Sequence, residues 1–172
     1  MNIRTSLALA CAFAVAVAGA FGCANYRLGT TLPKHLKTIY IPTFKNQTTE
    51  PAIESKITSA VRRDFQRDGN LRVVDSEAEA DIRLKATLLA YDVESLLYER
   101  NSPNTTRRYK ARLVCLLDAE EVATGKKIVT RQVTGETTFP AAGDTVTARR
   151  NALNDVARSL SREVVDAVIG AW

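Results

Sequence analysis

The stretch ADIRLKATLLAYD, residues 80–92, decides the fold. Ile82, Leu84, Ala86, Leu88 and Ala90 alternate with Arg83, Lys85 and Thr87. Successive side chains of a strand point to opposite faces, so this is a β-strand with one apolar face and one polar, basic face. The polar run ERNSPNTT, residues 99–106, follows it and reads as a hairpin connection. Beyond it the alternation resumes. Tyr109, Ala111, Leu113, Cys115 and Leu117 face inward, while the opposite face begins with Arg108, Lys110 and Arg112 and turns apolar at Val114 and Leu116. A turn around Gly125 leads to a third long strand over residues 127–139, rich in Val and Thr.

Working toward the N-terminus, KTIYIPTF (residues 37–44) is β-branched and aromatic and reads as a strand. Pro42 has no N–H for a ladder, which places this strand at a sheet edge or ends it there. An amphipathic helix follows, with Ile53, Ile57, Ala60, Val61 and Phe65 on one stripe. Thr49 or Glu50 is its expected cap, Pro51 suits its first turn, and Gly69 is its expected stop. LRVVD (residues 71–75) is a short strand or an extended lead-in. At the other end, Leu153, Val156, Ala157, Leu160, Val164 and Val168 form the stripe of a last helix, with Thr145 or Thr147 as its cap. The order is β-α-β-β-β-α. Short links favour antiparallel neighbours, and two amphipathic helices need one apolar sheet face to cover. The expected class is α+β: a two-layer sandwich with a mixed, mostly antiparallel sheet of about four strands.

At the extreme N-terminus, Arg4 precedes fifteen uncharged residues from Leu7 to Phe21, and Gly22-Cys23 follow. A basic start and an apolar run shorter than a membrane span is the layout of an export signal. A Cys after a small residue points to lipoprotein processing, with residues 1–22 removed and Cys23 acylated; cleavage after Ala18-Gly19-Ala20 is the alternative. Either route puts the protein in the envelope. The expected organisation is a signal peptide (1–22), a lipidated tether (23–36) and one α+β domain (37–172).

The formal charge is +5, unevenly spread. Residues 100–112 hold five basic side chains and no acid. In the cytoplasm that density would suggest nucleic acid; in an envelope the available polyanions are phospholipid headgroups and lipopolysaccharide phosphates. The sequence offers no Ser/His/Asp combination, no Gly-rich phosphate loop and no carboxylate pair in an apolar setting. His35 is the single histidine and has no second metal ligand at a useful spacing. No enzyme, cofactor or metal is expected. Cys115 is expected to be a small buried hydrophobe.

The sequence resembles the LptE family of lipopolysaccharide-assembly lipoproteins. The residues that carry the likeness are Cys23 followed by Tyr26-Arg27-Leu28-Gly29, the segment LPKHLKTIYIPTFKNQTTEPAIE (32–54), ADIRLKATLLAYD (80–92) and the closing ALNDVARSLSREVVDAV (152–168). The resemblance implies a mixed sheet under two helices and a role without catalysis. Such proteins plug the outer-membrane β-barrel LptD, help it assemble and contact lipopolysaccharide. It further implies an acyl anchor on the periplasmic face of the outer membrane; Asn25, two after the Cys, is not the Asp of an inner-membrane retention signal. By the family's layout the ligand-side loop follows the first long strand. The implied phosphate-contacting residues are Arg100 first, then Arg107, Arg108, Lys110 and Arg112, with Arg83 and Lys85 on the same basic face. A different envelope lipoprotein, such as an activator of cell-wall synthases, is the competing reading.

Overall fold

A computed structural model describes residues 32–96, 108–140 and 145–172. The three long strands are β4 (Ile82–Leu96), β5 (Arg108–Glu121) and β6 (Lys127–Pro140), joined antiparallel from Ile82 opposite Glu121 to Arg108 opposite Pro140. Three short strands complete the sheet: β1 (Thr38–Tyr40), β2 (Lys45–Asn46) and β3 (Arg72–Val74). All three pair in parallel, and the spatial order is β3-β1-β4-β5-β6 with β2 also on β4. The sheet is therefore mixed and six-stranded, against the four strands expected. The expected 37–44 strand runs as β1 only to Tyr40, Pro42 divides it from β2, which lies just beyond that stretch, and the lead-in 71–75 proves to be an edge strand. That division also corrects the edge placement: β1 ends before Pro42, but it lies inside the sheet between β3 and β4.

Helix α1 (Ile53–Asp68) buries Ile53, Ile57, Ala60, Val61 and Phe65, the stripe its spacing predicts. It stops at Gly69, whose φ of 79° is left-handed and whose N–H donates to the Phe65 carbonyl at 3.1 Å. Its start differs from expectation. Neither Thr49 nor Glu50 caps it, and Ala52 at φ 58° opens the helix with no side-chain cap. The polar side chains before it are spent on their own turn: Asn46 Oδ1 accepts from the Thr48 N–H at 2.9 Å, and Asn46 Nδ2 donates to the Glu50 carbonyl at 2.9 Å. Helix α2 (Thr145–Ile169) buries Ala152, Val156, Ala157, Leu160, Val164 and Val168. Thr147 lies inside this helix and so is not its cap.

Helix α2 lies along β6 and β5, and α1 packs beside it over β3 and β2. The buried Ser161 hydroxyl bonds to Asp64 and ties the helices together. One sheet face is sealed by this layer. The core runs through Ile39, Ile82, Leu84, Leu88, Leu113, Cys115 and Leu117, all at zero exposure, to Phe65 and Leu160. Leu36 is buried and Leu32 packs against the core, so residues 32–36 belong to the folded unit. A register shift between Leu88 and Ala90 corrects the strand pattern. Beyond this bulge Tyr91 pairs with inward Leu113, so Ala90, opposite Val114, falls on the open face.

Candidate functional site on the open sheet face

Among the described residues no helix covers the second sheet face. Strand alternation puts Arg83, Lys85, Thr87, Ala90, Asp92 and Glu94 of β4 on it, with Arg108, Lys110, Arg112, Val114, Leu116, Asp118 and Glu120 of β5. Strand β6 adds Lys127, Thr130, Gln132, Thr134, Glu136 and Thr138. A basic face was expected; the register gives a ladder of both signs. Arg83 stands opposite Glu120, Lys85 opposite Asp118, Arg112 between Asp92 and Glu136, and Lys110 opposite Glu94. Strands read one at a time show only the cations, whereas pairing brings Arg83, Lys85, Lys110 and Arg112 a carboxylate from a neighbouring strand; Arg108, between Leu96 and Pro140, gains none.

At one end of the face these pairs close into a network. Arg83 donates through Nε to Glu120 at 2.9 Å and also bonds Glu77 of the one-turn 3-10 helix Glu77–Glu79. Lys127 Nζ lies 2.7 Å from both Asp118 oxygens and 2.9 Å from Glu120 Oε2. Hydrogen bonds from Lys127 and then Arg83 hold the Glu120 carboxyl at about 2, far below its ordinary 4.5. Beside this network Asp81 staples β1 to β4, its Oδ2 accepting the N–H groups of Lys37 (2.7 Å) and Thr38 (2.9 Å) and the Thr38 hydroxyl (2.9 Å). Burial pushes that carboxyl up, but these three donors outweigh it and the net shift is downward.

At the other end, Lys110 Nζ is 2.7 Å from Glu136, and Arg108 and Arg112 are exposed. Arg100 and Arg107 fall outside the described residues, as do Cys23 and the loop 99–106. The structure thus divides the candidates. Arg108, Lys110 and Arg112 share one stretch of β5, whereas Arg83 and Lys85 stand level with Glu120 and Asp118, about 20–40 Å further along at ~3.4 Å per residue. His35 is exposed and lies 3.2 Å from Glu121. Among the described residues no group of three His, Cys, Asp or Glu side chains could hold a metal, and no helix is long and apolar enough to cross a membrane.

Sequence reasoning missed a cleft of about 450 Å³ on the same face, between Pro42, Thr43 and Lys45 on one side and Lys85, Thr87, Leu116 and Asp118 on the other. Its signal was Pro42 inside an otherwise regular strand pattern. The partner strand across the cleft could not be named from the sequence.

The fold is shared with solved bacterial proteins of very different sequence. Protein XCC0632 of Xanthomonas campestris superposes with a TM-score of 0.57 at 11% identity, over 83% of this chain and 89% of its own. Protein CT253 of Chlamydia trachomatis gives 0.53 at 10% identity, over 79% and 97%. No curated sequence matches the chain. The family model for lipopolysaccharide assembly, LptE, matches residues 36–168, from the residue that opens the core to the last buried turn of α2. The chain belongs to the LptE lipopolysaccharide-assembly family.

Proposed function

We propose that the chain is a non-catalytic outer-membrane lipoprotein, anchored through acylated Cys23, that assembles with and plugs an LptD-type β-barrel and contacts lipopolysaccharide during its insertion. One observation carries the reading: a sheet face on which cations and carboxylates of neighbouring strands stand side by side, on a domain whose other face is sealed. The lumen of a large outer-membrane barrel is polar, and a laddered hydrophilic face can exchange ion pairs with such a wall without burying an apolar one. Three acyl chains, or the barrel itself, would hold the protein at the membrane where one chain would not.

Pull-down of the lipidated chain from detergent-solubilised outer membrane is expected to recover a large β-barrel. Recovery of a penicillin-binding protein with no barrel would move the chain to the cell-wall-activator reading. For the glycolipid, Arg100 and Arg108 are the first candidates, with Arg107, Lys110 and Arg112 supporting them. Arg100→Glu with Arg108→Glu is expected to weaken lipopolysaccharide binding at least about tenfold, ~1.4 kcal/mol, with the fold intact by circular dichroism. Unchanged affinity in the folded double variant would return these residues to a role in solubility.

A further inference from the structure

The cleft beside Pro42 is built by a mismatch in the sheet. Tyr40 pairs with Arg83 and Lys45 with Thr87, so residues 41–44 must span only residues 84–86 of β4. Proline brings no N–H to the ladder, and the surplus residue bulges. The flanking residues are fixed toward the helices. Ile41 and Phe44 are buried, Arg62 Nε donates to the Ile41 carbonyl at 2.9 Å, and the Phe44 N–H donates to the Thr58 hydroxyl at 3.0 Å. Pro42 and Thr43 are left lining the open-face cleft.

The chemistry of its walls is two-part. Pro42 and Leu116 are apolar, and Leu116, at 39% exposure, is the exposed large hydrophobic side chain of the described residues. Thr43 and Thr87 contribute hydroxyls, and Lys45 and Lys85 contribute ammonium groups. The one carboxylate in the wall, Asp118, is already taken by Lys127 at 2.7 Å and by the Thr130 hydroxyl at 3.2 Å. Among the described residues Lys45 makes no ion pair. The nearest acid to Lys85 is Glu120 at 3.8 Å, itself held by Arg83 and Lys127. The uncommitted charge of the cleft is therefore positive and sits beside an apolar wall.

We infer that this cleft binds the phosphate monoester of an apolar-bodied amphiphile, with Lys45 and Lys85 on the phosphate, the threonine hydroxyls as further donors, and the apolar body over Leu116 and Pro42. Two lysines on flexible stems suit a phosphate approached from a groove, and the volume falls in the range of small-molecule sites. The inference rests on the functional reading only for the expectation that the chain meets a phosphorylated amphiphile. It places the contact far along the sheet from Arg108, so the two can fail separately.

The test uses the full chain in phosphatidylcholine nanodiscs, titrated with hexyl phosphate and with inorganic phosphate. Hexyl phosphate is expected to bind at least about tenfold more tightly than inorganic phosphate. Lys45→Gln and Lys85→Gln should each weaken it about fivefold, and Leu116→Asn should bring it close to inorganic phosphate. On the unaltered protein, magnetisation transfer between the hexyl chain and the Leu116 methyls is expected. Equal affinity for the two ligands, absence of that transfer, or full binding by a folded double-lysine variant would each overturn the inference. Barrel recovery is read separately: hexyl phosphate binding with no barrel sinks the functional reading alone, and a barrel with no hexyl phosphate binding sinks the cleft alone.

Discussion

Glu120 is 8% exposed and accepts from two cations of different strands, Arg83 across the β4–β5 pair and Lys127 across β5–β6. A carboxyl at about 2 in the fold and near its ordinary 4.5 when unfolded binds fewer protons in the folded state between those values. Its contribution to stability is fully present above about pH 4.5 and is lost as the pH falls toward 2. The melting temperature should therefore fall steeply across that window, and Glu120→Gln should lower it at neutral pH and flatten the acid slope. An unchanged slope in the variant, measured by thermal melts from pH 6 to 2, would assign the acid sensitivity elsewhere. None of this was legible in the sequence. Arg83 and Lys85 were visible as a basic alternation, but Glu120 lies 37 residues from Arg83, and only the antiparallel register brings them together.

At the level of elements, the long pieces were legible and the short ones were not. Strands β4 to β6 and both helices carry enough residues for their periods to show. Strands β1, β2 and β3 have two or three residues each, and their assignment depends on parallel partners that local pattern cannot name. The contact between α2 and β6 was hidden for a related reason: Gly135 in a strand pattern reads only as a weak spot. In the fold it lies under the helix, where an added Cβ would stand 2.6 Å from the Leu160 backbone nitrogen and 2.8 Å from its Cα. The next residue, Glu136, donates its N–H to the Ser159 hydroxyl at 3.2 Å, which pins the helix at the same height. The obstacle is helix backbone, so it cannot rotate away. Gly135→Ala should cost about 1–3 kcal/mol despite its small volume change. Chemical denaturation checks this, and a loss under about 0.5 kcal/mol would mean that α2 can lift off β6 freely.

For the molecule as a whole, the two sheet faces divide the work. The helix-covered face holds the apolar core, and the open face carries the paired charges and the cleft. The apolar stripes announced the covered side, because burial follows from residue type and period alone. The candidate site was legible only as cations in a strand pattern; its carboxylates and its cleft arise from neighbours distant in sequence. Cys115 reports on the covered side directly. It sits at zero exposure on the middle of three long strands, and burial pushes its thiol up to about 12. Reaction requires the thiolate, and reaching the sulfur requires separating the sheet from its helices. In a Cys11→Ser, Cys23→Ser chain it is the single remaining thiol. Its modification by a disulfide reagent at pH 8 is expected to be at least about a hundredfold slower in the native protein than in urea. The labelled fraction should rise through the same urea midpoint as the loss of circular dichroism, since no smaller opening exposes it. Labelling that runs ahead of that midpoint would show the sheet parting from its helices before the domain unfolds, and the sandwich would then be two units rather than one.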